Sequence, residues 1–301
     1  MFNFNLHLKI PVHCFHMFIK TLHCIFIFFK QSFQISPNIQ ALDILEVQKP
    51  VQKDSGGDCD QPCSKCTAFT IPNMLNNIQS SNANNSVNLC TLSNDNIAHI
   101  ETCTSEQSDS KMWHELRKGR LTASNFSKVC KAVDANKCHA PSLHKTILGE
   151  YGEIPAPSLV WGKKKESAAL QHCMRVCQKS HVHPLLSHRG LRIHSTMNFI
   201  GCSIDGLLTC KCHGSTIIEV KCPFTYRDED PKDICLKKGC VINEKGEIVV
   251  TENSEYYHQI QGQMGIYGIY QCNIIFYTKK GICVAHADFN PDFFSKNAQQ
   301  T

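Results

Sequence analysis

Three side chains in two short stretches of this sequence could do chemistry together. Ser203-Ile204-Asp205-Gly206 is followed, 14 residues after its aspartate, by Glu219-Val220-Lys221. Residues two apart on a strand point to the same face, so Glu219 and Lys221 share a side. Their neighbours Thr216-Ile217-Ile218 and Val220 are otherwise apolar. An acid and a base among Ile and Val are costly to bury without a partner or a metal. Two strands joined by a turn would set Asp205 beside Glu219 and add a second negative charge. A divalent cation neutralises such a pair, and oxygen ligands favour Mg²⁺, or Mn²⁺, over zinc. The ion would polarise a phosphoryl oxygen and activate a water. Lys221 would orient that water or stabilise charge building on the phosphate. The competing reading of D…E-x-K is a Glu–Lys pair on a solvent-facing strand edge.

Further residues weigh on that choice. Glu166 lies in a helical stretch whose Ala168, Ala169 and Leu170 face a core, so its carboxylate can join the metal site; its bland role is a first-turn acid favoured by the helix dipole. Gln259 and Gln263 are four apart and share a helix face, with Gln261 between them, and their amides can hydrogen-bond a water or a phosphate. Arg117, Arg120 and Ser124 flank a helix N-terminus near Thr122, where backbone N–H groups and a bidentate guanidinium make a phosphate pocket. Lys163 and Lys164 add positive charge for a nucleic-acid backbone.

The elements that must position these groups follow from periodicity. Met112 to Lys118 reads as a short helix or turn. Thr122 is expected to cap a helix from Ala123 to about Val133, with Phe126, Val129, Cys130 and Val133 on its buried face. Gly162 to Gln178 is helical, striped by Ala169, Leu170, Cys173, Met174 and Cys177. Strands are expected over 191–194, 199–204 and 216–222, a helix over 253–270, and a hairpin of 273–279 and 282–289 turning at Lys280-Gly281. The stretch between Lys221 and Gln259 reads as loop-like and charged. Helices first, then mixed strands around a long helix, give an α/β fold.

Charge is uneven. Residues 111–290 hold 24 Lys and Arg against 16 Asp and Glu, although the whole chain is only +5. That clustering suits a polyanion, with a solvated basic face as the bland alternative. The 19 cysteines are odd in number and scattered, so most are expected to be reduced thiols or small core residues. Cys59, Cys63 and Cys66 could begin a zinc site, but a fourth ligand at the usual spacing is missing, Cys90 and Cys103 being distant candidates. Cys210, Cys212 and His213 form a second such cluster, with Cys202 or Cys222 as possible partners. Residues 1–35 are apolar and aromatic, but Lys20, His13, His16 and His23 interrupt them, against a membrane span. No clean signal-peptide cleavage site follows. Residues 36–110 read as a polar, Cys-containing linker without fixed structure, 111–290 as the folded domain, and 291–301 as a tail.

Five segments in order, WHELRKGRLTAS (113–124), WGKKKE (161–166), GCSIDGLL (201–208), EVKCPFTYRD (219–228) and YYHQIQGQM (256–264), resemble the phage lambda exonuclease family, also called YqaJ-like viral recombinases, of the PD-(D/E)XK nuclease superfamily. The resemblance implies a restriction-endonuclease-like core, a small mixed central sheet flanked by helices. It implies metal ligation by Asp205, Glu219 and the Val220 carbonyl, with Glu166 completing the acidic cluster, Lys221 as catalytic lysine and Gln259 beside the attacking water. Arg117 and Ser124 would hold a terminal 5′ phosphate. The activity implied is Mg²⁺-dependent 5′-to-3′ digestion of duplex DNA in recombination and repair, by a ring-shaped trimer. The chain ends soon after the hairpin without the closing helices of the phage enzyme, which counts against the ring. DNA is the expected partner, no membrane partner is expected, and the location is intracellular, nuclear in a eukaryote. The alternative is a non-catalytic DNA-binding or interaction module on a nuclease fold.

Overall fold

A computed structural model describes residues 63–74, 92–135, 137, 140–150 and 156–293. The apolar segment 1–35, Cys59, Cys90 and the tail beyond 293 lie outside the described residues.

The polar linker expected over 36–110 needs correcting where the chain is described. Helix α1 (Ser64–Thr67) and helix α2 (Asn94–Cys103), capped by the Ser93 side chain, are folded. Both pack on helix α3 (Lys111–Arg117) through Cys66, Leu92, Ile97, Ile100, Met112 and Leu116. The amphipathic spacing of Ile97 and Ile100 was masked by the Asn- and Ser-rich stretch before it. Contact with the rest of the fold is intimate. A Cβ at Gly190 would stand 2.2 Å from the Glu101 carbonyl, Leu191 N–H donates to Thr104 Oγ1 at 2.8 Å, and buried Glu101 pairs with Arg192 at 3.0 Å.

Strand β1 (Leu121–Thr122) leads into a single 3₁₀ turn over Ala123–Asn125 and helix α4 (Phe126–Asp134). The continuous helix expected from Ala123 is therefore broken at its start. Thr122 does not cap it; its Oγ1 bonds Ser124 Oγ and accepts from Asn125 Nδ2. Helix α5 (Pro141–Leu148) follows, then the long α6 (Pro157–Ser180), whose 24 residues span about 36 Å. Proline at its first turn starts it earlier than the stripe of buried residues suggests.

The remainder builds two sheets. Strands β3 (Arg192–Ile193) and β4 (Ile200–Cys202) join β1 in the order β1-β4-β3. The central sheet contains β2 (Leu185–Ser187), β5 (Gly206–Cys210), β6 (Gly214–Lys221), β7 (Cys240–Ile242), β8 (Ile248–Val250), β9 (Gln271–Thr278) and β10 (Gly281–Asp288). Its order is β2-β5-β6-β9-β10-β8-β7, with β6–β9 and β8–β10 parallel and the other pairs antiparallel. This is the expected mixed α/β sheet flanked by helices. The region between Lys221 and Gln259 is not a loop: it holds helix α7 (Pro231–Lys237), capped by Asp230, and strands β7 and β8.

Strand β6 is central and buried on both faces, which explains its near-continuous run of Ile and Val. Ile217 joins one core with Ile274 and Phe276 of β9 and with Ile260 and Met264 of helix α8 (Tyr257–Tyr267). Ile218 and Val220 join the opposite core with Ala169, Leu170 and Cys173 of α6. Glu219 and Lys221 therefore emerge on the α8 side. Helix α8 is shorter than the span 253–270, ending at Gly268 in the left-handed region with φ 66°. Gly262 within it is required by packing, since a Cβ would lie 2.5 Å from the Phe126 ring. Among the described residues no cysteine forms a disulfide, and no described helix is long and apolar enough to cross a membrane.

Candidate active site

The end of β6 and the turn before β5 bring the carboxylates together. Asp205 stands at the entry to β5, and its Oδ2 accepts the Val220 N–H at 2.6 Å. That bond locks the two strand ends in the side-by-side arrangement expected from the sequence. Glu219 is buried, with 4% of its surface exposed. Its Oε1 accepts from Lys221 Nζ and Gln259 Nε2, each at 2.6 Å, and its Oε2 accepts from Gln263 Nε2 at 2.6 Å. A carboxylate with this many donors is held in one rotamer, each charge-assisted bond contributing about 1.5–3 kcal/mol.

Gln259 bridges acid and base, because its Oε1 accepts from Lys221 Nζ at 3.0 Å while its amide nitrogen serves Glu219. The two glutamines on one face of α8 thus bind Glu219 directly in this structure. Gln263 also donates to the Ser203 carbonyl at 3.0 Å, two residues before Asp205. Gln261, on the other face, donates to the Asp288 carbonyl and accepts the Asn290 N–H, a purely structural role. The Lys221 ammonium further lies 4.8 Å from the centre of the Tyr256 ring, a contact not foreseen although Tyr256 opens the same sequence segment.

Electrostatics reinforce the geometry. Burial pushes the Asp205 carboxyl well above the usual carboxylate range, and the Glu219 and Glu166 charges push it further, against Lys221 and the Val220 N–H. Glu166 of α6 is also raised, by burial first and Glu219 second. Among the described residues no hydrogen-bond donor or ion-pair partner reaches the Glu166 carboxylate. Burial alone would lower the Lys221 pKa, but the Glu219 and Asp205 charges outweigh it and hold the amine protonated. Three carboxylates that feel one another's charge, against one ammonium, leave excess negative charge at these partly buried side chains, and every donor is a hard oxygen. That set fits a divalent cation of the Mg²⁺ or Mn²⁺ type.

The phosphate-binding candidates divide. Arg117 stacks on Trp113, its guanidinium carbon 3.9 Å from the ring centre, and Trp113 Nε1 donates to Ser203 Oγ at 2.8 Å. Arg117 is thereby tied to the segment that carries Asp205. Ser124 is exposed on the turn that packs against α8. Arg120 must be corrected. It is fully buried, donating to the Asn198 carbonyl at 2.7 Å and to the carbonyls of Leu116 and Phe69. Burial lowers its pKa to about 9. It spends its donors on the chain's own backbone and is not placed to meet a phosphate. Lys163 is exposed and paired with Asp109, and Lys164 is exposed on the same turn of α6.

The YqaJ-like viral recombinase domain matches residues 112–270 of the chain. Among solved structures, the chain is similar to the alkaline exonuclease LHK-Exo from Laribacter hongkongensis, with 22% identity over 64% of this chain and 90% of that one and a TM-score of 0.44. It is similar to a phage related exonuclease from Haemophilus somnus 129PT, with 14% identity over 62% and 95% and a TM-score of 0.38. The shutoff and exonuclease protein of Kaposi's sarcoma associated herpesvirus gives 13% identity over 68% and 71%, with a TM-score of 0.39. No curated protein sequence matches the chain.

Proposed function

Because the chain belongs to the family of YqaJ-like viral recombinase domains, we propose that it is a Mg²⁺-dependent deoxyribonuclease that digests duplex DNA from a 5′ end, serving recombination or repair. The observation that carries this reading is Glu219 held by Lys221, Gln259 and Gln263, with Asp205 bonded to the Val220 N–H between that acid and base, and Glu166 near enough for the three carboxylates to feel one another's charge.

Asp205, Glu219 and the Val220 carbonyl would hold the cation, with Glu166 completing the acidic set. When bound, the cation polarises a phosphoryl oxygen and eases deprotonation of a water. The chain's own groups do the rest. Lys221, kept cationic by Glu219 and Asp205, offers N–H bonds to negative charge that grows on the phosphate as the P–O3′ bond breaks. Gln259 fixes the Lys221 ammonium beside Glu219 by bonding to both. Arg117 and Ser124 bind a terminal 5′ phosphate and so set which bond reaches the carboxylates. Lys163 and Lys164 supply charge that follows the backbone without reading sequence.

Duplexes labelled at one end, with and without a 5′ phosphate, test the proposal. Shortening from the 5′ end in Mg²⁺, arrest by EDTA and a faster rate on the phosphorylated end are expected. Tight DNA binding with no cleavage in Mg²⁺ or Mn²⁺ would overturn the enzyme reading in favour of a binding module.

A further inference from the structure

Two clusters of thiols and imidazoles lie away from the carboxylates, and neither is used by the proposed reaction. Cys63, just before α1, and Cys66 within it meet His99 and Cys103 of α2. His181, immediately after α6, meets Cys210, Cys212 and His213 at the turn between β5 and β6. In each group the four ligand atoms lie within 4.8 Å of one another. We propose that each cluster holds a zinc ion with a structural role.

The first cluster has the sequence grammar of a zinc site once the fold is known. Cys63-x2-Cys66 supplies one pair and His99-x3-Cys103 the other, and His99 and Cys103, four apart, share a helix face. Cys63 Sγ lies 3.1 Å from His99 Nε2, and Cys103 Sγ lies 3.5 Å from the same nitrogen. Ligands around a tetrahedral zinc, with Zn–S about 2.3 Å and Zn–N about 2.0–2.1 Å, stand roughly 3.5–3.8 Å apart. A disulfide would use two of the thiols and leave the imidazole without a role. Thiolate and imidazole donors also separate this cluster from the carboxylate site, because soft ligands select zinc over magnesium.

The cluster sits where a cross-link is needed. A four-residue helix does not hold itself together in water, so α1 depends on what it is joined to. Yet this segment supplies the Phe69 carbonyl and the Met74 sulfur that surround buried Arg120. It also packs on α3, which carries Trp113 and Arg117. Joining α1 to α2 by a metal would fix one wall of the proposed phosphate pocket from outside. The fourth ligand was not evident from sequence because His99 lies 33 residues beyond Cys66.

The second cluster rests on separate contacts. His181 Nδ1 lies 3.4 Å from Cys210 Sγ, 3.6 Å from Cys212 Sγ and 3.2 Å from His213 Nδ1. Lys211 N–H donates to the Val182 carbonyl at 2.9 Å, so helix end and hairpin turn are already joined by backbone. Zinc here would tether the far end of α6, the helix of Glu166, to the hairpin whose opposite ends carry Asp205 and Glu219. Neither Cys202 nor Cys222 is needed, since His181 completes the set.

The full chain, purified under reducing conditions from zinc-supplemented medium, should carry two zinc ions by mass spectrometry. Cys103→Ser and Cys212→Ser should each lower this to one. His99→Cys, which keeps four ligands, should keep two, guarding against a simple folding defect. Replacing zinc with cobalt should give thiolate-to-cobalt charge-transfer bands that survive Asp205→Asn, because the carboxylate site contributes no sulfur. Less than one zinc per chain with no such bands would overturn both sites. A serine variant that retains the wild-type zinc content would overturn the site it belongs to.

Discussion

Asp205 Oδ2 accepts the backbone N–H of Val220 at 2.6 Å, so the first carboxylate is fixed by the residue that separates Glu219 from Lys221. An amide oxygen can accept the same bond. Asp205→Asn therefore removes the charge and keeps the geometry. The Asp205 carboxyl is held above its ordinary range, by burial first and by Glu219 and Glu166 next. A group whose pKa is raised by folding favours the folded state while protonated, and that stabilisation is lost as pH rises through its folded pKa. The cation-free protein is thus penalised most at neutral and alkaline pH.

In EDTA at pH 8, Asp205→Asn should melt higher than the wild type, by about 2–4 °C for each kcal/mol recovered. The gap should close as pH falls toward the ordinary carboxylate range, and cleavage should be lost at every pH. Thermal melts at pH 5, 6.5 and 8 read this directly. An equal or lower melting temperature at pH 8 would remove the argument for stored repulsion at the site.

Lys221→Ala deletes the ammonium while leaving all three carboxylates. If the lysine stabilises charge on the breaking phosphate, the cleavage rate should fall by about 10²–10³-fold. DNA affinity, measured by fluorescence anisotropy in Ca²⁺, should change far less, because most of it comes from the basic face. A cleavage rate within a few-fold of wild type would sink the assigned role.

Gln263→Leu tests a residue that positions Glu219 without touching substrate. Its amide nitrogen links Glu219 Oε2 to the Ser203 carbonyl. Losing a group that orients a metal ligand typically weakens metal affinity by about 10–100-fold. The variant should need that much more Mg²⁺ for half-maximal activity, while its rate at saturating Mg²⁺ recovers most of the way. A rate deficit that no Mg²⁺ concentration repairs would show that the glutamine does something other than hold the ligand.

Arg120→Met separates structure from recognition. Three carbonyls lose their donor, at about 1–3 kcal/mol for each left unsatisfied in the interior. The variant should melt several degrees lower, yet the slope of log affinity against log salt should not move. Loss of one phosphate contact would reduce that slope by about 0.9, and such a reduction would return Arg120 to the DNA interface.

The placement of side chains on β6 was legible because strand periodicity is two: Glu219 and Lys221 had to share a face, and the surrounding Ile and Val had to be buried. The i, i+4 spacing of Gln259 and Gln263 was equally plain. What could not be read was the partner on that face, so the glutamines were given to water or phosphate when Glu219 takes them. Arg120 misled for a related reason, since a guanidinium beside a helix N-terminus looks the same in sequence whether it faces solvent or three carbonyls. Helix α2 was hidden by the polar run before it, and α7 with β7 and β8 by their many charges. His99 and His181 were invisible as ligands because only the tertiary fold brings them to their cysteines.

Arg117 carries the last expectation, because in the proposed reaction it would bind the terminal phosphate from which digestion starts. Its guanidinium rests on Trp113, whose indole N–H is bonded to Ser203 Oγ, so the cation is held against the segment leading to Asp205. A charge-assisted contact to a terminal phosphate is worth about 1.5–3 kcal/mol, a factor of roughly 10–100 in rate at low substrate. Arg117→Ala should lose that factor on duplexes with a 5′ phosphate and leave the slower rate on 5′-hydroxyl ends nearly unchanged. Arg117→Lys should restore little, since an ammonium lacks the planar fork and the stacking face. If the alanine variant slows both substrates equally, Arg117 acts on the backbone generally and the end preference must arise elsewhere, with exposed Ser124 the next residue to replace.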